Sequence, residues 1–476
     1  MIGQPASGFT GRGTVRLDAL SAWADGSTVA MGWKMEEDDQ GCWAFLRRGR
    51  LIGSGEWTHQ YGSADNATNS RDSRIAGDLQ LQWFGRPGPR GMVDRGARTP
   101  APLYADGRLF VQGDCRLFGI DAYNGTILWS LEAPTLKRTN VPRDSSNMTV
   151  TGDRFYVAVR DACWKLDAQT GKLETLIELP GDLKPEQDAA WGYLASTDEL
   201  LLGTTALERA IYKGVAGEWY DKAGPDAQDV LGRSLFALDR ADHSLLWSHA
   251  DGLIIHPTIT IHEGAIYFVE DRNPHSESAE TGRLFRQSGK DQYLVALDLH
   301  TGQKLWEKAY DLRKFDRVMY QSAANGVLLV VGSSDRYHLL GIDASSGEEL
   351  WSKSFAWKRD HHGGAMQHPV IVKDKIYLET KGLELRTGRV FREDLPVRRG
   401  CGTMSATDRS IFYRNSTHSM WDLETDKRVQ MPGIRPGCWL GLIPAGGLLL
   451  APETSSGCSC AHPVQTSAAF RPVSGK

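Results

Sequence analysis

The sequence lacks the local motifs by which several common chemistries are identified. Its seven cysteines include no CxxC, CxxCH or zinc-ribbon spacing, so no redox motif, haem attachment or zinc finger is predicted. No glycine-rich phosphate loop, Gly-x-Ser-x-Gly elbow or His-Glu-x-x-His motif occurs. These absences exclude the nucleotide-binding, serine-hydrolase and zinc-protease classes that such motifs define.

Charge of one sign and long apolar runs are also missing. The 55 basic and 59 acidic residues leave a formal net charge of −4, which does not favour nucleic acid as a partner. No apolar run approaches the roughly 18 residues that a membrane-spanning helix needs. Residues 1–25 contain no basic segment followed by an apolar one, so no signal peptide is predicted in this chain.

Glycine and tryptophan, in contrast, are abundant, at 51 and 15 residues. Many of them belong to a phrase in which an apolar strand leads into Asp-x-x-(Thr/Ser/Asn)-Gly and then Trp. Residues 117–129, 294–306 and 339–351 are good copies, and a fourth copy has His243 in place of glycine. Including degenerate copies, the acidic position falls at residues 121, 167, 239, 298, 343, 384 and 422.

Each phrase has a physical interpretation. The apolar residues before the acidic position alternate as in a half-buried strand. The Asp side chain caps a tight turn in which glycine supplies positive φ, and the following Trp offers a large apolar surface to a neighbouring unit. Further strands lie upstream of each phrase. The repeat is therefore a four-stranded antiparallel meander of about 40–50 residues, the period of a β-propeller blade.

This phrase resembles the repeat of pyrroloquinoline quinone (PQQ)-type β-propellers. That family includes quinoprotein dehydrogenases and the non-catalytic scaffold lipoprotein of outer-membrane barrel assembly. The resemblance covers about residues 55–473 and implies an all-β fold. It also implies a periplasmic or extracytoplasmic location, if a leader or a preceding domain is missing from this chain.

The predicted fold is an eight-bladed propeller, with seven blades as the alternative because the late repeats are degraded. Residues 79–84 are predicted to be an outer strand that closes the ring, completing a last blade built from residues 438–452 and 468–473. Residues 53–476 form the propeller. Residues 1–52 do not fit the repeat and are predicted to be an N-terminal extension or the remnant of a preceding domain.

One face of this propeller is expected to carry function. Two long insertions, residues 207–233 and 272–292, map to the face that also holds the loops between blades. These loops are rich in arginine, which binds carboxylates and phosphates. PQQ carries three carboxylates and would suit such a funnel, as would an acidic peptide; alternatively, each arginine pairs with a carboxylate of a neighbouring blade. The predicted cofactor-binding residues are Arg98, Arg143, Arg359, Arg398, Arg399, Arg435 and Trp439.

A second constellation lies at the starts of the predicted inner strands, where His256, His368, Cys401 and Cys438 take similar positions. Cysteine and histidine suit zinc or copper, so these four residues are a predicted metal site. A Cys401–Cys438 disulfide and unpaired packing residues are the alternatives. Cys458, Cys460 and His462 form a further cluster of soft ligands, for which the CxC spacing is weak evidence.

Three functions compete. The leading prediction is a monomeric binding or scaffold module that presents the arginine-rich face to a protein partner or a small anionic ligand. The second is a PQQ-dependent dehydrogenase that oxidises an alcohol or sugar. Against it, the sequence lacks the vicinal Cys-Cys pair of the alcohol-oxidising branch and has no recognisable calcium triad, and a shared fold does not carry function. The third is a metal-dependent site in the central channel.

Overall fold

The structure is a computed structural model. It describes residues 18–19, 21–22, 33–38, 41–46, 50–93, 99–136, 138, 141–145, 147–183, 188–211, 228–277, 280–284, 291–358, 363–396, 398–457 and 464–473. The chain divides into two compact units, residues 1–52 and 53–476. In the first unit, strands β1 (Trp33–Asp38) and β2 (Gly41–Leu46) form an antiparallel hairpin.

The second unit is built of short antiparallel strands. Alternating or continuous apolar residues bury most of them on both faces, as expected for sheets that pack against one another. Its strands are β3 (Leu79–Gly85), β4 (Leu103–Ala105), β5 (Arg108–Gly113), β6 (Arg116–Asp121), β7 (Ile127–Glu132), β8 (Met148–Thr151), β9 (Arg154–Val159), β10 (Ala162–Asp167), β11 (Leu173–Glu178), β12 (Ala189–Ser196), β13 (Leu200–Leu207), β14 (Leu231–Asp239), β15 (Leu245–His249), β16 (Leu253–Ile255), β17 (Thr260–His262), β18 (Ala265–Asp271), β19 (Gln292–Asp298), β20 (Lys304–Tyr310), β21 (Val318–Ala324), β22 (Val327–Ser333), β23 (Tyr337–Asp343), β24 (Glu349–Phe355), β25 (Val370–Val372), β26 (Lys375–Leu378), β27 (Lys381–Glu384), β28 (Val390–Arg392), β29 (Ser405–Ala406), β30 (Ser410–Asn415), β31 (Thr417–Asp422), β32 (Arg428–Met431), β33 (Ile443–Ala445), β34 (Leu448–Ala451) and β35 (Ser467–Pro472).

Helices are short in the described part of the chain, and none of them is long and apolar enough to cross a membrane. They interrupt the loops between strands rather than forming layers of their own. They include the α-helices Glu208–Ile211 and Pro274–Glu277 and the 3-10 turns Val141–Arg143, Gly181–Leu183, His256–Thr258 and Gly364–Met366.

The strands pair as antiparallel meanders. The four-stranded sheets are β4–β7, β8–β11, β21–β24, β25–β28, β29–β32 and the set β33, β34, β35 and β3. Strands β12–β15 and β17–β20 form two further meanders, which β16 joins into one nine-stranded sheet by pairing with both β14 and β18. The pairing of β3 with β35 is the one predicted for residues 79–84. It brings the start of the second unit beside its last strands.

Tryptophan joins five of the meanders to the next one, as the sequence predicts. The Trp83 indole nitrogen donates to the carbonyl oxygen of Ala122 at 2.7 Å, and a Cβ added to Gly125 would lie 2.6 Å from the Trp83 ring. The repeat glycine therefore has two roles, because it adopts φ +76° and also leaves room for the indole of the preceding sheet. The same contact joins Trp129 to Gly171, Trp247 to Gly302, Trp306 to Gly347 and Trp351 to Gly388.

Where the tryptophan is missing, the glycine is missing too. Thr175 takes the Trp position on β11, and the corresponding turn of the next meander has His243, at φ +65°. On β28 the position is taken by Arg392, and the next turn has Asp426 instead of glycine. The Arg392 and Asp426 side chains form an ion pair at 3.0 Å. An ion pair thus replaces the Trp–Gly contact between these two sheets.

Residues 55–72 run past the ends of the first strands of all the meanders. This axial segment accepts a hydrogen bond from each meander in turn. The donor nitrogens belong to Gly446, Tyr104, Val150, Ser196, Ile261, Ala323, Ile371 and Ala406, and the acceptors to Gly55, Trp57, Thr58, His59, Ala64, Asp65, Ala67 and Thr68 respectively. One continuous segment of the chain therefore contacts all eight meanders.

Candidate functional site

Most of the predicted site residues are interior residues. Arg98 and Arg359 lie outside the described residues, as do Cys458, Cys460 and His462. Of the other predicted positions, Arg399 is exposed. The buried ones are Arg143, His256, His368, Arg398, Cys401, Arg435, Cys438 and Trp439.

Aromatic side chains occupy the space beside the axial segment. The Tyr61 ring stacks on the imidazole of His368, with centroids 3.6 Å apart, and meets the Tyr320 ring edge-on at 6.1 Å. Burial raises the pKa of Tyr61, and its neighbours Trp439 and Tyr320 oppose that shift. Burial also lowers the pKa of His368 to about 3, so its imidazole is neutral at pH 7. Trp439, one of the predicted cofactor-binding residues, is thus a buried neighbour of Tyr61.

A buried polar network lies next to these rings. The Arg138 guanidinium makes two hydrogen bonds to the Asp144 carboxylate, at 2.9 and 2.8 Å. The same carboxylate accepts a hydrogen bond from the Ser145 backbone NH at 2.7 Å and contacts His256 Nδ1 at 3.0 Å. His256 Nε2 lies 2.9 Å from the Thr204 hydroxyl. Burial alone would raise the pKa of Asp144, but Arg138 and His256 hold it well below its usual range. Asp144 is therefore a buried carboxylate with three partners.

Asp229 is also buried nearby, and its pKa is shifted in the direction opposite to that of Asp144. Burial raises its pKa to about 8, although Arg143, the Met319 backbone NH and Arg283 act in the other direction. The Met319 NH donates to one carboxylate oxygen at 3.1 Å. The pKa values of the two buried aspartates thus shift in opposite directions, because two hydrogen bonds from Arg138 outweigh burial at Asp144, whereas burial outweighs Arg143 and Arg283 at Asp229.

Two of the predicted funnel arginines are paired inside the protein. Arg398 lies 3.5 Å from Glu379, and Arg435 lies 3.2 Å from Glu453, with both side chains of the second pair fully buried. For Arg398 and Arg435 the arrangement is the alternative that the sequence left open, in which arginines pair with internal carboxylates. Both guanidiniums are buried, so they are not exposed to an external anion.

The predicted metal ligands do not form one site. Among the residues that the structure describes, no group of three His, Cys, Asp or Glu side chains could hold a metal ion. His256 is hydrogen-bonded to Asp144 and Thr204, His368 stacks on Tyr61, and Cys401 contacts Cys438. Similar positions along successive repeats did not bring the four side chains together, because each has partners of its own.

The described residues beside the axial segment do not fit PQQ. A cavity lined by His59, Tyr61, Asp144, Tyr193 and His256 has a volume of about 20 Å³. That is room for about one water molecule, whereas ligand pockets measure roughly 300–1,000 Å³. The buried, paired arginines give the cofactor carboxylates no partners either.

A wider cleft lies elsewhere, at the turns on the other face of the sheets. Its volume is about 680 Å³ and it is open to solvent. The lining comes from turns of three successive meanders and carries both signs of charge. The lining residues include Asp153, Arg154, Lys165, Asp198, Glu199, Asp239, Arg240, Leu246 and His300.

Two features escaped the sequence analysis. The first is the path of the axial segment. This segment contains polar residues, of which Asn66, Thr68 and Arg71 adopt positive φ in the structure. The second is the inward loop that carries Arg143 and Asp144, which was assigned to a surface funnel. Arginine content alone does not distinguish an exposed loop from a buried one when the partner carboxylates are distant in sequence.

Comparison with known proteins places these features in a family. The structure is similar to the quinohemoprotein alcohol dehydrogenase of Comamonas testosteroni, with a TM-score of 0.53, 11% identity, and coverage of 89% of this chain and 82% of that one. For the quinohemoprotein alcohol dehydrogenase ADHIIG of Pseudomonas putida HK5 the values are 0.54, 12%, 88% and 80%. At such identity the likeness concerns the fold alone, which is a β-propeller. No curated protein sequence matches this chain.

A family model gives the closer assignment. The model described as outer membrane protein assembly factor BamB matches residues 89–208 and 230–430, about two thirds of the 476 residues. The matched range contains the repeat phrases from Asp121 to Asp422. The chain therefore belongs to the PQQ-like β-propeller family that this model describes, that of outer membrane protein assembly factor BamB.

Proposed function

We propose that this chain is an eight-bladed PQQ-like propeller that acts as a non-catalytic binding or scaffold module. Eight blades are supported by eight four-stranded meanders and by the eight hydrogen bonds that the axial segment accepts, one from each. The β3–β35 pairing and the Trp83–Gly125 contact support closure of the ring. We further propose an extracytoplasmic location and a monomeric state, as expected for an outer-membrane assembly factor.

The observation that carries the binding role is the filled interior. Tyr61 and His368 occupy the axis, and Arg398 and Arg435 are paired with carboxylates. A propeller whose interior is taken by its own side chains retains its outer surface for function. A protein partner, rather than a cofactor or nucleic acid, is the ligand that such a surface suits.

We assign the binding surface to the mixed-charge cleft of about 680 Å³ rather than to the arginine-rich face. Arg399 is the one exposed member of the predicted arginine set among the described residues. The cleft, in contrast, combines carboxylates, basic side chains and Leu246, which is 47% exposed. Such a lining matches a polypeptide segment that carries both signs of charge around an apolar residue.

Site-specific photocrosslinking tests this assignment. A photoreactive amino acid at Leu246 should capture a defined partner in the source cell. The matched control is Leu128, which occupies the same repeat position beside its Trp and is 45% exposed. Equal capture at both positions, or capture at Leu128 alone, would contradict a binding surface in the cleft. Arg240→Glu should reduce the capture at Leu246, because it reverses one charge of the lining.

The rival activity has its own test. Incubating the purified protein with PQQ and calcium ions should leave no stoichiometric quinone absorbance after gel filtration. Retention of one PQQ per chain, together with reduction of an artificial dye by an alcohol or sugar, would establish the dehydrogenase instead.

A further inference from the structure

Two cysteines on consecutive sheets lie side by side in the interior. Cys401 precedes β29 and Cys438 precedes β33, the first strands of neighbouring meanders. Their side chains form a separate apolar contact, and both are present as thiols. Cys401 is 7% exposed and Cys438 is fully buried.

The backbone sets the register of this contact. Gly402 and Trp439 form a parallel bridge, in which the Trp439 NH donates to the Cys401 carbonyl at 3.1 Å and the Thr403 NH to the Trp439 carbonyl at 3.2 Å. In a parallel bridge the residues before the bridged pair are also opposite each other, so Cys401 faces Cys438. Parallel neighbours are about 4.8 Å apart, within the Cα separation of about 4.4–6.8 Å that a disulfide requires.

We infer that Cys401 and Cys438 are a thiol–disulfide pair that links two neighbouring blades under oxidising conditions. The Cys401 thiolate, the more exposed of the two, attacks a low-molecular-weight disulfide and releases one thiol. The Cys438 thiolate then attacks Cys401 Sγ and releases the second thiol. The protein thiols lose two protons and two electrons in total, and the external disulfide gains them as two thiols.

The bond would close a loop across one inter-blade boundary. Between these two sheets β32 presents Gln430 at the repeat position that holds Trp in the good copies, so the Trp–Gly contact is absent there. A covalent link restricts the unfolded chain most when it closes a long loop. Oxidation is expected to raise the midpoint of thermal unfolding by about 3 °C, given the size of the propeller.

Peptide mapping of the full chain tests the inference. After treatment with oxidised glutathione, denaturation, alkylation and non-reducing digestion, the peptides containing Cys401 and Cys438 should be joined and two hydrogens lighter than their sum. Reductant should separate them and restore alkylation of both. Two alkylated cysteines after oxidation, or a bridge from either cysteine to another one, would overturn the inference.

Variants separate the bond from general stabilisation. Cys438→Ser should abolish both the joined peptide and the rise in unfolding midpoint on oxidation. Cys163→Ser is the control, because Cys163 is equally buried but lies in another cluster and should leave both effects intact. If Cys438→Ser does not fold, the wild-type map alone decides. The result is independent of whether the cleft captures a partner.

Discussion

The ring of Tyr61 lies flat against the imidazole of His368, with a centroid distance of 3.6 Å and an angle of 14° between the planes. These residues are more than 300 positions apart, and their contact fixes the axial segment against the first strand of a late sheet. The neighbouring Thr68 hydroxyl and His368 Nδ1 are 2.8 Å apart, which orients the imidazole. The stacked pair therefore fills the interior and anchors the segment.

Removing this stack should be costly. We expect Tyr61→Ala to lower the free energy of unfolding by about 3 kcal/mol, because it leaves a cavity among buried rings. Tyr61→Phe retains the ring and should cost less than about 1 kcal/mol. Urea unfolding of the two variants checks the difference. Equal losses would mean that the hydroxyl, rather than the ring, provides the stabilisation.

The two buried aspartates should respond oppositely to neutralisation. Because the pKa of Asp229 is about 8 in the folded protein and ordinary in the unfolded chain, folding retains a proton that the unfolded chain loses. Stability therefore falls as pH rises from about 4 to 8. Asp229→Asn should remove this loss, stabilising the protein by roughly 2 kcal/mol or more at pH 8 and by much less at pH 4.

Asp144→Asn is the matched control for that substitution. Its carboxylate is ionised and paired with Arg138, and both side chains are buried. Neutralising it leaves a buried guanidinium without its counter-charge, so the protein should lose about 3 kcal/mol at pH 7. Urea midpoints across the pH range compare the two variants. A destabilising Asp229→Asn at pH 8 would contradict the neutral state of Asp229.

The Trp–Gly contact predicts unequal costs at equivalent turn positions. Gly302 has φ +68°, and a Cβ there would lie 2.7 Å from the Trp247 ring. Gly302→Ala should therefore cost about 3 kcal/mol, from backbone strain and from displacement of the indole. His243→Gly, at the turn that faces no tryptophan, should be neutral within about 1 kcal/mol. Thermal unfolding measures both, and similar losses would refute a packing role for glycine.

The Arg435–Glu453 pair provides a double-mutant cycle. Arg435→Met alone leaves the fully buried Glu453 without its guanidinium partner and should cost about 3–5 kcal/mol. Adding Glu453→Leu should recover most of that loss, because no buried charge of the pair is then left. Denaturant midpoints give the coupling energy. Additive losses would show that the two side chains do not interact.

The repeat explains why so much of the fold could be predicted from local sequence. Strand alternation, the Asp-x-x-Thr-Gly turn and the terminal Trp each act within one meander or between adjacent ones. The outer strand at residues 79–84 carries the same signature. Its Trp83 packs against Gly125 in a turn of the next sheet, as the other repeat tryptophans pack against their glycines. The repeat pattern is interrupted where other residues replace the Trp and the Gly, as Arg392 and Asp426 do.

The candidate site could not be predicted in the same way. Aligned repeat positions indicated His256, His368, Cys401 and Cys438 as a group, yet their neighbours come from segments that the repeat does not describe. The arginines were expected at a funnel mouth because their carboxylate partners, such as Glu379 and Glu453, are not marked in the sequence. The direction and the protonation state of a side chain depend on its burial in the tertiary structure. A short sequence motif does not indicate that burial.

By itself, the sequence determined that this protein is a repeat of antiparallel meanders, several of them joined by tryptophan, because those interactions are local and recur. Only the tertiary structure decided what lies between the meanders. The axial segment, the inward loop with Asp144 and the buried ion pairs each combine residues from distant repeats. Their arrangement depends on which polar groups must be satisfied once the sheets have packed together.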